Sequence, residues 1–203
     1  MTSELFNDGK IRCPWCSGFD QYVKYHDEEW GVPVYNDRTH FEFLILESAQ
    51  AGLSWATILK KREGYRKAFA DFDYKIVADF PDSFVEELMT DASIIRNRLK
   101  IAAAINNAKR FMEVQSEFGS FSDYIWGFVD GTPIDNQLRS MENAPATSKQ
   151  SDQLAKDLKK RGFKFLGSTT IYAHMQATGL VNDHLVDCFR YEEVKALVKS
   201  KEN

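Results

Sequence analysis

Residues 41–50 read Phe-Glu-Phe-Leu-Ile-Leu-Glu-Ser-Ala-Gln. Wound as a helix at about 100° per residue, the side chains of Phe41, Phe43, Leu44, Ile45 and Leu46 point in nearly every direction, and a helix that is apolar all round lies inside a protein. Glu47 then projects between Phe43 and Leu44, one turn back, into apolar surroundings. A buried carboxylate must be paired, hydrogen-bonded or functional. The next residues, Gln50-Ala51-Gly52-Leu53-Ser54-Trp55, end this helix at Gly52 and start another that Ser54 caps and Trp55 opens.

Outward from this stretch, helical periodicity dominates and strand alternation is scarce. Asp37 or Thr39 opens the buried helix, with Thr39 and Glu42 spaced as a capping box. The helix capped by Ser54 runs through Phe69. Pro81 suits the first turn of a short helix to about Met89. A long helix is expected from Ser93 to Phe118, stopped by Gly119, and Ser120 or Ser122 starts a short one containing Trp126. Residues 131–150 are polar, hold Pro133 and Pro145 and show no period, which marks a long connection. Ser151 caps a helix to Arg161 that Gly162 ends, and Gly167 with Ser168 opens another that Gly179 closes. The expected class is all-α: a compact multi-helix body without internal repeats.

With 203 residues, 43% hydrophobic and 28% charged, the chain has the composition of a globular protein, which excludes wholesale disorder. Apolar runs of about five residues exclude a transmembrane helix, and the polar first ten residues carry no signal-peptide core. Three cysteines argue against a disulfide framework and for the cytoplasm. The net charge of −4 argues against a broad coat of nucleic acid. Its distribution is lopsided, however: residues 60–67 and 156–164 each carry five positive charges against one negative. Two compact basic spots on an acidic chain suit local phosphate contacts, and suit equally well two solvated helix faces.

The two helices flanking Gly-Phe-Lys-Phe-Leu-Gly (162–167) form a hairpin whose backbone amides, with the following helix N-terminus, could face an anion. Phe163, Phe165 and Leu166 could pin it to the core. His184 and Cys188 stand at i and i+4, sharing a face if the segment is helical, and Cys13, Cys16 and His26 supply candidates for two further metal ligands. Zn²⁺ best matches such a mixed thiolate and imidazole set, and four protein ligands would make the site structural. Spacing does not choose between Cys13 and Cys16. His40 and His174 read as ordinary helix residues without partners. Trp15, Tyr22, Tyr25, Trp30 and Trp55 could sandwich a flat ligand, or could be core.

Taken together, Cys13…Tyr25-His26-Asp27…Glu29-Trp30-Gly31-Val32-Pro33, Leu46-Glu47…Gln50-Ala51-Gly52-Leu53-Ser54-Trp55, Lys160-Arg161-Gly162-Phe163-Lys164-Phe165 and Gly179-Leu180-Val181-Asn182-Asp183-His184 with Cys188 strongly resemble the DNA-3-methyladenine glycosylase I family. This is a bacterial branch of the helix-hairpin-helix glycosylases. The resemblance spans residues 12–190, leaving 1–11 and 191–203 as terminal extensions, and places the helix-hairpin-helix element at about 151–179.

The resemblance implies one structural zinc ion on Cys13, His26, His184 and Cys188, with Cys16 left out. It assigns Glu47 as the catalytic, base-contacting glutamate, with Tyr25 and Trp55 holding the base. Gly162, Lys164 and Gly167 of the hairpin, with Lys160 and Arg161, meet DNA phosphates, and Gly52 with Leu53 enters the space left by a flipped nucleotide. The chain lacks the Leu-Pro-Gly-Val-Gly signature and the catalytic aspartate of other helix-hairpin-helix glycosylases, so no water-activating aspartate is assigned. The implied partner is double-stranded DNA containing 3-methyladenine, met by a monomer in the bacterial cytosol. A non-catalytic binder of alkylated bases and a zinc-stapled protein-binding scaffold are the alternatives.

Overall fold

The computed structural model describes residues 8–199. Ten α-helices are described: α1 (Asp20–Glu28), α2 (Asp37–Gln50), α3 (Trp55–Ala68), α4 (Tyr74–Ala78), α5 (Ser83–Leu88), α6 (Arg98–Phe118), α7 (Phe121–Trp126), α8 (Lys149–Lys160), α9 (Ser168–Ala177) and α10 (Phe189–Lys199). The all-α expectation holds. None of these helices is long and apolar enough to cross a membrane.

α2 is the axis around which the rest packs: every residue from His40 to Ala49 is buried, and α3, α6, α7 and α9 lie against it. Its cap differs from expectation. Asn36 is the cap, its Oδ1 accepting from Thr39 N at 3.1 Å. Glu42 is drawn away from any capping box by Arg62 and Arg66, at 2.8 and 3.2 Å. Arg62 also pairs with Glu29 at 2.7 Å. The basic run 60–67 is thus partly consumed in tying α3 to α1 and α2.

The long helix starts at Arg98, capped by Asn97, and not at Ser93. Ser93 is instead held in a turn, its N–H donating to Asp91 at 2.7 Å. Its backbone lies so close to Gly64 that a β-carbon on that glycine would come within 2.3 Å of the Ser93 carbonyl. α8 is capped by Ser148, with Ser151 at the third helical position closing a capping box, so the helix begins three residues before the expected Ser151. α4 was not anticipated, and the connection 131–150 carries a two-residue strand, β1 (Ile134–Asp135), parallel to β2 (Val181–Asn182) with Ile134 opposite Val181.

His40 and His174 are not partnerless. Both are buried, and His40 Nδ1 lies 3.2 Å from His174 Nε2 while His40 Nε2 lies 3.0 Å from the Val34 carbonyl. The consistent tautomers have His40 Nε2–H donating to Val34 and His174 Nε2–H donating to His40. Burial pushes His40 down to about 4 and His174 well below its ordinary value, so the pair is neutral and joins α2 to α9.

Candidate functional site

Tyr25 and His26 are adjacent on α1, and they separate two sites that share one small core. Tyr25 faces a cavity of about 190 Å³ that is also lined by Trp15, Tyr22, Trp30, Glu47 and Trp55. Glu47 stands on the buried axis helix and is only 5% exposed. It has no hydrogen-bond partner among the described residues, and burial alone pushes its carboxyl up to about 8. Tyr25 lies 5.4 Å from Trp55, and Trp15 lies 4.9 Å from Trp30, centroid to centroid. Trp55 Nε1 is buried without an acceptor among the described residues. An aromatic slot holding one desolvated, unpaired carboxyl suits a flat ligand that carries donors and positive charge. Gln50, Met141, Ala173 and Gln176 complete the lining. Sequence reasoning missed Met141, Ala173 and Gln176 as site residues, because nothing in their spacing joins them to α1 and α2.

Behind the cavity, Cys13, His26, His184 and Cys188 converge, all buried, with their ligand atoms within 4.8 Å of one another. Three sulfur–nitrogen separations are 3.7, 3.5 and 3.6 Å, and the corresponding edge of a tetrahedron with ordinary zinc–sulfur and zinc–nitrogen bonds is about 3.6 Å. The second imidazole nitrogens are anchored as metal-ligating histidines require: His26 Nδ1 meets Asp27 Oδ1 at 2.8 Å, and His184 Nε2 meets the Trp30 carbonyl at 3.0 Å. Arg12 in turn grips Asp27 at 2.7 Å. The residues present therefore form a metal-binding cluster. Cys16 is outside it, its Sγ donating to the Cys13 carbonyl at 3.1 Å.

His184 and Cys188 do not sit on the expected helical turn. They flank a tight bend between β2 and α10, closed by Cys188 N donating to Leu185 O at 2.8 Å. The bend reaches α1 because Gly179 lets the chain pass against Pro33. A β-carbon there would lie 2.5 Å from the Pro33 nitrogen, and its φ is +74°. Trp30 belongs to both sites: its ring lines the cavity and its carbonyl holds His184.

The remaining site candidates lie at two loops. Gly52 adopts φ +81° with open space around it, and Leu53 beside it is 41% exposed, an apolar side chain offered to solvent at the turn between α2 and α3. In the hairpin, Phe163 and Leu166 are buried as expected, but Phe165 is 40% exposed with φ +57°. It points outward and pins nothing. The N–H groups of Phe165, Leu166 and Gly167 have no acceptor among the described residues, and they lead into the N-terminus of α9, where no side chain caps. Lys160 and Lys164 are exposed beside these amides. Arg161, the remaining basic candidate, is held by Asp157 at 2.7 Å and Glu117 at 2.6 Å and lies over the rings of Phe118 and Tyr124. These pairs join α8 to α6.

A helical body that combines an aromatic, carboxylate-bearing slot with a basic amide-presenting hairpin has the layout of the helix-hairpin-helix DNA glycosylases. Within that class, the chain belongs to the methyladenine glycosylase family, which matches residues 15–191. It is 48% identical over 180 residues to DNA-3-methyladenine glycosylase 1 of Escherichia coli (strain K12), covering 89% of this chain and 96% of that protein. It is 46% identical to the DNA-3-methyladenine glycosylase of Haemophilus influenzae, covering 87% and 96%. A crystal structure of 3-methyladenine DNA glycosylase I superposes with a TM-score of 0.86 at 49% identity, over 88% of this chain and 98% of that one.

Proposed function

We propose that this protein is a monofunctional DNA N-glycosylase that excises 3-methyladenine from alkylated double-stranded DNA and leaves an abasic site. The observation that carries the reading is Glu47: a desolvated carboxyl without a partner, set in an aromatic slot. Methylation at N3 makes adenine cationic, so the glycosidic bond is already weak. The enzyme needs mainly to flip the base, hold it and favour an oxocarbenium-like transition state. As the bond between the sugar C1′ and the base N9 breaks, its electron pair passes to the base, neutralising the cation. A water oxygen then bonds to C1′ and releases a proton.

Glu47 is held protonated near neutral pH in the empty slot. Arrival of a cation lowers its proton affinity, and the resulting carboxylate accepts hydrogen bonds from the base edge in a low-dielectric site. The rings of Tyr25 and Trp55 add stacking and cation–π attraction. Neutral adenine gains less from each contact and is bonded more firmly, so part of the selectivity lies in the lesion. Gly52 and Leu53 occupy the space vacated by the flipped nucleotide. Lys160, Lys164 and the amides up to Gly167 hold the phosphate backbone.

The reading includes one structural zinc ion on Cys13, His26, His184 and Cys188, supported by the donor set and by its spacing. When bound, the ion crosslinks the two ends of the chain and supplies no chemistry to the cavity. It also takes residues 12–190 as the functional unit, acting as a monomer in the bacterial cytosol. Release of free base from methylated duplex DNA is the test. Stoichiometric base release with accumulation of abasic sites is expected. Tight binding of the methylated duplex without release would leave a binder of alkylated bases in its place.

A further inference from the structure

α6 touches neither the cavity nor, by the reading above, the DNA, yet it holds both loops that do. At one point on α6, Lys100 Nζ donates to the carbonyls of Ala49 and Ala51, at 2.9 and 2.6 Å. Ala51 immediately precedes Gly52, Ala49 stands two residues earlier, and a cation suits this helix C-terminus. Seven residues further along, Asn107 grips the hairpin with both ends of its amide. Its Oδ1 accepts from Lys164 N at 2.8 Å and its Nδ2 donates to Lys164 O at 2.9 Å. Asn106 adds a bond from its Nδ2 to Gly162 O at 2.9 Å. Asn107 is buried, so its amide has no water to exchange for these bonds.

Seven residues are two turns of helix, so Lys100 and Asn107 lie on one face of α6, about 10 Å apart along its axis. We propose that Lys100 and Asn107 are positioning residues that fix the spacing between the Leu53 loop and the phosphate-gripping hairpin, so that the apolar wedge meets the duplex at a set distance from the held phosphate. This rests on the glycosylase reading and adds to it a part that lies away from the base. Lys100 Nζ and both ends of the Asn107 amide are committed within the protein, to backbone and, at Asn107 Oδ1, also to Asn106 Nδ2 at 3.2 Å, which separates them from Lys160 and Lys164. A duplex has a regular phosphate spacing. A wedge set at the wrong distance from the gripped phosphate would meet a stacked base pair and not the gap. Excision depends on this placement, because small displacements of a positioned group are costly.

The two residues should leave different signatures, because they hold different loops. The experiment measures affinity of the full-length protein for a duplex carrying a stable abasic-site analogue and for the same duplex undamaged. Zinc content and binding of free 3-methyladenine, read by tryptophan fluorescence, are followed beside it. Lys100→Met keeps the stem but drops the two carbonyl bonds. It should weaken abasic-duplex binding about tenfold while undamaged binding shifts less than about twofold, erasing much of the preference. Asn107→Leu should weaken both duplexes alike, by about tenfold, and reduce the salt dependence, since the hairpin amides no longer meet the phosphate together. Should Asn107→Leu fail to fold, Asn106→Ala removes the Gly162 bond and the 3.2 Å bond to Asn107 Oδ1 while leaving both Asn107–Lys164 bonds, and should show the same pattern at about threefold. Free-base binding and zinc content should be unchanged in every folded variant. A Lys100→Met protein that keeps its preference for the abasic duplex overturns the proposal, as does loss of free-base binding in step with duplex binding, which would mean a general loosening of the fold. A wild-type protein that releases 3-methyladenine but shows no preference for the abasic duplex would overturn the proposal, whereas one that releases no base from methylated duplex would overturn the glycosylase reading itself.

Discussion

Replacing Glu47 by Gln should make the protein more stable and less active, with the stability gain set by pH. The structure holds this carboxyl at about 8 where its ordinary value is 4.5, solely through burial. At about 1.4 kcal/mol per tenfold change in proton affinity, forcing it to ionise in the folded protein costs up to about 5 kcal/mol. Water at the mouth of the slot lowers this to an expected 2–4 kcal/mol, as an order-of-magnitude figure. The folded state binds the proton more tightly than the unfolded chain does. The stabilisation is therefore complete below about pH 4.5 and is lost progressively as pH rises to about 8. Glutamine never ionises and escapes the loss. The assay is thermal unfolding of both proteins, zinc-loaded, across this range. The melting temperature of Glu47→Gln should exceed wild type by roughly 5–15 °C at about pH 9, and the difference should shrink nearly to nothing at about pH 4.5. The same substitution should slow single-turnover excision of 3-methyladenine about ten- to a hundredfold, the value of a hydrogen bond to a charged group. A difference in melting temperature that does not change with pH would refute the argument, because Glu47 would then be ionised and accommodated in the empty slot.

Trp55→Ala should also impair excision by removing a stacking face, worth about 1–3 kcal/mol in single-strand binders, while abasic-duplex affinity, measured by fluorescence anisotropy, falls less because no base then fills the slot. Cys188→Ser or His26→Ala should lower zinc content and thermal stability together, whereas Cys16→Ser should spare both in elemental analysis and melting. Asp27→Asn, which weakens the support of His26, should reduce zinc affinity about ten- to a hundredfold in a chelator competition. Lys160→Ala with Lys164→Ala should weaken damaged and undamaged duplexes alike and flatten the salt slope by about one to two. Arg161→Ala should show its main effect in the melting curve, because its partners are Glu117 and Asp157.

Local chemistry makes α2, α3 and the C-terminal ends of α8 and α9 legible in the sequence: an all-round apolar run, a serine cap and glycines at helix ends act within a few residues. What the sequence alone misread was set by contacts across the fold. The start of α6 slips to Arg98 because Ser93 must pack on Gly64, and Asn36 takes the cap because Arg62 and Arg66 claim Glu42. His184 and Cys188 were paired correctly by spacing and assigned the wrong backbone, since a bend also brings residues four apart together. The choice of Cys13 over Cys16 at the cluster, left open by spacing, is visible in where each sulfur points. The ion pair of Arg161 with Glu117 was not legible, because a basic run says nothing of which of its members face carboxylates from another helix. The support of His26 by Asp27 and the grip of Asn107 on Lys164 lie between distant segments and left no periodic trace.

The metal cluster joins residues that are 171 positions apart, and one wall of the cavity, Trp30, is fastened to it through His184. During synthesis this makes the slot depend on residues translated long after those that line it. At about 5–20 residues per second, the stretch from Trp55 to His184 takes roughly 6–26 s to make, so α2, α3 and the aromatic residues are present well before His184 and Cys188. A chain stopped before His184 thus has Glu47 and its rings without two of the four residues of the cluster. Such a product should keep Glu47, Tyr25 and Trp55 and still fail to fix the Trp30 wall of the slot.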